Sequence, residues 1–374
     1  MRITCVLGPY LPVPAVLGGA VERVWQNLTG QFAKKGHDVT LISRRYADFP
    51  IAETIESVRY LRVPSRNVPR SRVLYRLFDA VYAARVAAIL PPSDVTITNS
   101  VALPLVLPGK RAGKIYVSVA RFPKGQMAIY QRAHRLQAVS KAVADAISRQ
   151  TPSVVDRVRV LPNALSTIFS SLEDSGCRTR NNEILYVGRI AREKGLELLI
   201  RAFLALPNPN SWTLTLLGPV DSYAGGDGPE YLDELKQLAS SRPGRIRFEE
   251  AIFHEELLAA RMQQAAIFAY PSVAELGESF GMAPLEAMAC GCAVVVSGLD
   301  CFRDFIEDGV NGLVFDHHDP SGRPLTMLLQ ALVDQPHQRR QLASEAFRTA
   351  QKFSADKVAD LFISDFSELA GIAS

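Results

Sequence analysis

Cysteine is scarce and irregularly placed in this chain. Five thiols (Cys5, Cys177, Cys290, Cys292, Cys301) occur among 374 residues, and no CxxC pair exists. An odd, unpaired set excludes a disulfide framework and fits reduced thiols in a cytosolic protein. Cys290-Gly-Cys292 reads as a small-residue helix exit. The six histidines are scattered apart from the adjacent His317-His318, so no metal site is expected. No uninterrupted apolar run reaches the ~18 residues needed to span a bilayer. The opening Met-Arg-Ile-Thr-Cys-Val-Leu lacks the longer apolar core and cleavage site of a signal peptide and reads as a first strand. No Gly-x-Gly-x-x-Gly follows a strand-like run, which removes the fingerprint of a hydride-transfer enzyme. Spacing assembles no Ser/His/Asp or Cys/His nucleophile set.

What is present is an ordinary globular composition, 48% apolar and 21% charged, in a chain long enough for two domains. The net charge of +4 conceals a division. Residues 1–165 carry 24 Lys+Arg against 9 Asp+Glu, a balance of +15; residues 166–374 carry 18 against 29, a balance of −11. Between residues 59 and 85 seven arginines face only Asp79. Such a stretch is either a solvated basic face or a docking surface for an anionic membrane or acceptor. It matches no nucleic-acid-binding motif.

Short β-branched runs alternate with longer helical patterns, the signature of parallel sheets with crossover helices. The first-half runs are Ile3–Leu7, Asp38–Ser43, Val58–Val63, Val95–Asn99, Ile115–Val119, Leu136–Ser140 and Val158–Pro162. Most are apolar throughout, as strands buried on both faces should be. Residues 166–182 turn polar and predict a linker. A second alternation then runs through Ile184–Val187, Thr213–Leu217, Ile246–Phe248, Ile267–Tyr270, Ala293–Ser297 and Leu313–Phe315. The pattern predicts two doubly wound domains, 1–165 and 183–353, with an amphipathic helix near 355–372 after the second sheet. Ligands are expected at the carboxyl ends of the strands.

Three constellations carry chemistry. Gly188-Arg-Ile-Ala-Arg-Glu-Lys-Gly195 follows a strand directly, and Arg189 and Lys194 flank the start of the next helix. Two cations there suit a diphosphate, although a solvated loop has the same spacing. The second is Glu278-Ser-Phe-Gly-Met-Ala-Pro-Leu-Glu286. Glu278 stands at a loop end, where its carboxylate accepts hydrogen bonds from hydroxyls. The amides of Phe280, Gly281 and Met282 open a helix, and Glu286 lies about one turn inside it. A carboxylate among Leu285, Met288 and Ala289 needs donors, which vicinal hydroxyls or a structural arginine supply. A glycosidase would use two such glutamates as acid and nucleophile, but a buried helix residue is no open acid. The third is Gly18-Gly19 between the first strand and the next helix, where backbone can approach a ligand.

Together these segments resemble the family 4 retaining glycosyltransferases, of bacterial polysaccharide type, which share the two-domain GT-B fold. Gly188-Arg189 with Glu193-Lys194-Gly195 is similar to the family's diphosphate motif, and Glu278 with Glu286 to its E-x7-E motif. Pro162-Asn163-Ala164, Gly36-His37-Asp38-Val39 and Asp308-Gly-Val-Asn-Gly312 also fit. The resemblance implies two Rossmann-like domains facing across a cleft: an acceptor domain, 1–165 with the crossover helix 354–374, and a donor domain, 183–353. It implies metal-independent transfer of a hexose from a nucleotide-diphosphate sugar, UDP-glucose or a related UDP-hexose, to a glycan or lipid-linked glycan in exopolysaccharide-type biosynthesis. The nucleotide sugar is a co-substrate, and no cofactor is implied.

The resemblance also assigns roles. Arg189 and Lys194 would neutralise the leaving diphosphate, Glu286 would hold the ribose and Glu278 the sugar hydroxyls. Phe280, Gly281 and Met282 would present amides, Gly18 and Gly19 would approach from the other domain, and His254 and Leu257 would hold the base. The family histidine near the reacting carbon is absent: the matching strand ends read Thr98-Asn99-Ser100 and Val119-Ala120-Arg121-Phe122. Asn99, with Arg121 and Lys124 as acceptor or sugar contacts, are the candidates in its place. The expected location is cytoplasmic, with the basic first domain able to dock peripherally on the inner face of the membrane. Two alternatives stay open: a sugar-nucleotide epimerase of the same architecture, and a non-catalytic nucleotide-sugar or glycan-binding relative.

Overall fold

The computed structural model describes residues 1–69, 71–173, 180–207 and 211–372. The chain divides into two compact units, Met1–Ser166 with Ser354–Ser374, and Thr167–Phe353.

The first unit holds β1 (Arg2–Val6), β2 (Asp38–Arg44), β3 (Ala52–Ile55), β4 (Val58–Val63), β5 (Val95–Thr98), β6 (Lys114–Val119), β7 (Arg135–Ala138) and β8 (Val158–Val160). They form one sheet in the order β3-β4-β2-β1-β5-β6-β7-β8. Every pairing is parallel except β3 with β4. Seven of these strands fall on the expected apolar runs. β3 does not: it is an exposed edge strand with no buried residue, so it carries no apolar signal. The order reverses between β1 and β5, which places the topological switch point at the ends of those two strands.

The helix Ala355–Ala370 completes this unit. Phe362 packs edge-on against Trp25 at 5.3 Å, and Phe366 against Phe32 at 5.7 Å and Tyr116 at 5.0 Å. Asp365, 8% exposed, sits beneath them. It takes Arg135 at 2.8 Å and the Tyr116 hydroxyl at 2.8 Å. A buried carboxylate so paired fixes the register of the helix on β6 and β7, since a shift of one turn would leave it alone in the core.

The second unit follows with β9 (Asn181–Val187), β10 (Thr213–Leu217), β11 (Ile246–Glu249), β12 (Ala265–Tyr270), β13 (Ala293–Ser297) and β14 (Leu313–Phe315). All are parallel, in the order β11-β10-β9-β12-β13-β14. Here the switch point lies between β9 and β12. Part of the segment expected as a linker is structured. Thr167–Ser170 is a helical turn whose Phe169 is fully buried, and β9 begins at Asn181. A single aromatic in a polar stretch is too little periodicity to announce this. Residues 174–179 lie outside the described residues.

Cys5, Cys290, Cys292 and Cys301 are free and buried; Cys177 lies outside the described residues. No described helix is long and apolar enough to cross a membrane.

Candidate active site

The carboxyl ends of β9 and β12 carry the two motifs of the second unit. After β9 the chain runs through Gly188 and Arg189 into a 3-10 turn, Arg192–Lys194. Gly195 then adopts φ 67°. A Cβ there would clash with the Pro271 carbonyl, so only glycine lets the loop leaving β9 press against the loop leaving β12. Backbone bonds join the two loops: the Val273 amide donates to the Glu193 carbonyl at 2.9 Å, and the Ser272 hydroxyl to the same carbonyl at 3.3 Å.

This junction brings Lys194 and Glu278 together. The ammonium Nζ lies 2.6 Å from Glu278 Oε2, with the side chains 5% and 11% exposed. It also sits 5.4 Å from the centroid of the Tyr270 ring. The Tyr270 hydroxyl donates to that same Oε2 at 3.1 Å. Burial, then the Glu278 charge, pushes the Tyr270 phenol well above its ordinary range, so it remains an O–H donor. One Glu278 oxygen therefore takes a cation and a phenol from within the protein. Tyr270 in turn stacks on Tyr186, 5.5 Å apart, whose hydroxyl holds the Arg189 carbonyl at 2.9 Å.

Arg189 is half-exposed. Its guanidinium reaches Glu193 at 2.5 Å and the Gly225 carbonyl at 2.7 Å. Glu193 is therefore a holder of Arg189, in a salt bridge exposed enough to yield to a stronger anion. Gly281, at φ 91°, caps the helix Met282–Ala289, and a Cβ on it would strike the Phe302 ring. The first amides of that helix have no intrahelical acceptor. Phe280 is turned inward at 1% exposure, packing on Phe305 and Phe353, so its contribution to a ligand is main-chain only. Glu286 is 5% exposed within the helix, among buried neighbours. His254 caps the helix Glu255–Gln264 after β11, and both it and Leu257 are exposed.

The other candidates belong to the first unit. Gly18 and Gly19 have φ of 78° and 110° and lead into the helix Ala20–Lys34. A Cβ on Gly19 would overlap the Glu22 carboxylate, which is buried and pushed up by burial, with Arg121 opposing the shift. Asn99 follows β5, and its Oδ1 is buried without a hydrogen-bond partner among the described residues. Arg121 and Lys124 are exposed. The first-unit histidines are engaged structurally: His37 Nδ1 lies 3.2 Å from the Met1 amine, and His134 Nδ1 accepts the Ile115 amide at 3.0 Å.

Sequence reasoning missed Tyr270 and Glu22. Tyr270 read only as the last residue of an apolar strand, and no spacing rule reveals which strand-end hydroxyl meets a carboxylate eight residues later. Replacing it by phenylalanine keeps the stack and removes the hydroxyl. Folding stability is expected to fall by about 1.5–3 kcal/mol, the net worth of one hydrogen bond to a charged group, and transfer to fall about tenfold as Glu278 loses one of its two holders. Steady-state kinetics beside a denaturation curve checks both.

Two family models match this chain: the model described as Glycosyltransferase Family 4 over residues 17–168, and Glycosyl transferases group 1 over 170–349. A D-inositol 3-phosphate glycosyltransferase of Paenarthrobacter aurescens is 27% identical over 260 residues, 66% of this chain and 60% of that protein's length. Among solved structures, sucrose-phosphate synthase of Thermosynechococcus elongatus superposes with TM-score 0.82 at 20% identity, covering 99% of this chain and 100% of that one. HepE of Anabaena, in complex with UDP and glucose, gives 0.73 at 18% identity, covering 98% and 100%. With both matched segments and the two parallel-sheet units in place, the chain belongs to the family 4 glycosyltransferases of GT-B fold.

Proposed function

We propose that this glycosyltransferase moves a hexose from a UDP-linked donor, with retention of configuration and without a metal ion, onto a glycan or lipid-linked glycan acceptor in surface or extracellular polysaccharide assembly. One observation carries the donor half: Lys194 and Glu278 converge at the switch point of the second sheet, beside Arg189 and a free helix start. Cations and amides there suit a diphosphate, and a carboxylate suits sugar hydroxyls. Glu286 would take the ribose diol, and His254 and Leu257 would border the base.

Mechanistically, the leaving group is a diphosphate, so the main demand on the protein is to stabilise charge that builds on its oxygens. Lys194 and Arg189 supply that, once each exchanges its carboxylate partner for phosphate. With no histidine free at the first unit's strand ends, front-face transfer is the route that fits: the departing phosphate oxygen takes the acceptor proton. Asn99, with its unpartnered Oδ1, and Arg121 and Lys124 would then orient acceptor or sugar. That HepE was solved with UDP and glucose supports the donor class.

The test is thermal-shift titration with UDP, GDP, ADP and their sugars in chelator. A ligand at 100 times its Kd should stabilise by about 2.7 kcal/mol. The expected result is a selective shift with UDP and UDP-hexose that Glu286→Ala abolishes. A shift only with GDP- or ADP-sugars would replace the donor. Conversion of the sugar nucleotide without acceptor would favour an epimerase.

The membrane half rests on the helix Arg72–Ile89. Its first turns expose Val73 (76%), Leu74 (43%) and Leu77 (53%) beside Arg72 and Arg76, with Val68 just before them. An apolar helix face ringed by arginines, in a half-chain of charge +15, complements an anionic lipid surface. The protein should float with anionic liposomes at low salt and not with neutral ones. Val73→Asp with Leu77→Asp should leave it in the soluble fraction, and a wild-type protein that never floats would end this proposal.

A further inference from the structure

Outside the donor constellation, three metal-ligating side chains converge at one point of the second unit. Glu275 stands at the turn of the loop that leaves β12, three residues before Glu278, and the Gly277 and Glu278 amides close that turn on the Ala274 carbonyl at 3.0 and 2.9 Å. His317 and His318 follow β14, where Asp316 Oδ1 takes the His318 amide at 2.9 Å and fixes the turn. Consecutive side chains of an extended chain diverge; these two do not. Their rings lie 4.2 Å apart with planes tilted by 34°. His317 Nε2 is 2.8 Å and His318 Nε2 3.5 Å from the same Glu275 oxygen. All three donor atoms lie within 4.8 Å of one another.

We infer that Glu275, His317 and His318 bind one divalent transition-metal ion of the zinc type, tying the loop that ends at Glu278 to the loop after β14. Two imidazole nitrogens and a carboxylate oxygen are a donor set that zinc, cobalt and nickel favour; calcium and magnesium take oxygen. With metal–ligand bonds of roughly 2.0–2.2 Å, tetrahedral donors stand about 3.3 Å apart, between the two measured separations. The ion would enter the space by spreading Glu275 and His317 by a few tenths of an ångström. The His317 side chain is only 5% exposed, so one ligand is pre-oriented, while Glu275 and His318 are 57% and 73% exposed and leave an open path. His317 Nδ1 is buried with no partner among the described residues. No acceptor therefore holds its proton, and the affinity should be that of an exchangeable site and not of a structural zinc. The ion would take no part in sugar transfer; its effect is on the mobility of the segment that delivers Glu278.

The experiment is titration of the full chain with cobalt(II) chloride, read by visible absorption, and with zinc sulfate, read by calorimetry. One equivalent is expected at micromolar Kd with the bands of tetrahedral cobalt. Glu275→Ala and His318→Ala, both surface changes, should each weaken binding at least tenfold. Hydrogen exchange at 273–281 should slow with zinc in the wild type only. Absence of cobalt binding, or binding that both variants retain, overturns the inference and leaves the cluster as contacts of two imidazoles with one carboxylate. The readouts are independent of donor: a protein that shifts with UDP-sugars and ignores cobalt fails here alone, and one that binds cobalt but no donor fails the proposed function alone.

Discussion

Lys194→Ala is expected to lower the rate of transfer by about 10²–10³-fold, because it removes a fixed cation from a water-poor site where charge builds on the leaving group. That corresponds to roughly 3–4 kcal/mol of barrier. The same change does a second thing. It leaves Glu278, 11% exposed, with the Tyr270 hydroxyl as its remaining donor at that oxygen. Breaking a buried pair from one side costs about 3–5 kcal/mol of stability, and the Tyr270 bond should keep this case near the lower figure. The two effects separate in a double variant. Lys194→Ala with Glu278→Ala should recover most of the lost stability and none of the lost rate. Denaturant unfolding and steady-state kinetics on the three proteins check this; a double variant as unstable as the single one would show that packing, not charge, holds the junction.

Arg261→Met should strongly destabilise the second unit. The guanidinium spans Glu183, at 2.7 and 2.8 Å, and Glu249, at 2.9 and 3.1 Å. Glu183 is 3% exposed and also takes the Thr215 hydroxyl at 2.5 Å. Removing the arginine strands that carboxylate in the core, a loss of about 3–5 kcal/mol against a total of about 5–15. The pH dependence gives the sign. Burial pushes Glu183 up, but the Arg261 and Thr215 hydrogen bonds outweigh it and hold the carboxyl below its ordinary value. A depressed carboxyl contributes stability that is present above its unfolded pKa of about 4.3 and is lost as pH falls through the lower folded value. In the variant burial remains without the cation, so the folded carboxyl moves up and acidification relieves it. The stability gap between wild type and variant should therefore narrow from pH 7 towards pH 4.5. Urea midpoints at the two pH values measure it, and Glu183→Gln in the variant should close much of the gap at pH 7.

Strands buried on both faces were legible from their apolar and β-branched runs: Thr213–Leu217, Ala293–Ser297 and Leu313–Phe315 match the expected runs residue for residue, and so does Val58–Val63, although it carries Arg59 and Arg62. β3 was not legible, since an edge strand open to solvent needs no such run. Within the candidate site, Lys194, Glu278 and the buried Glu286 could be singled out because ionic groups in apolar or glycine-rich settings need a reason. What those groups touch could not. Tyr270 looked like core, and Glu275 lies 42 residues from His317, a partnership that depends on β12 and β14 ending at the same sheet edge.

The return of the chain to its first unit at Ser354 has a consequence for synthesis. The second unit, Thr167–Phe353, is contiguous and can close as soon as its last residue clears the ribosome. The first unit cannot, because Trp25, Phe32 and Tyr116 wait for Phe362 and Phe366, made more than 240 residues later. The half made first is thus finished last. Until then it holds an aromatic face in solvent, where a chaperone or a neighbouring nascent chain would find it.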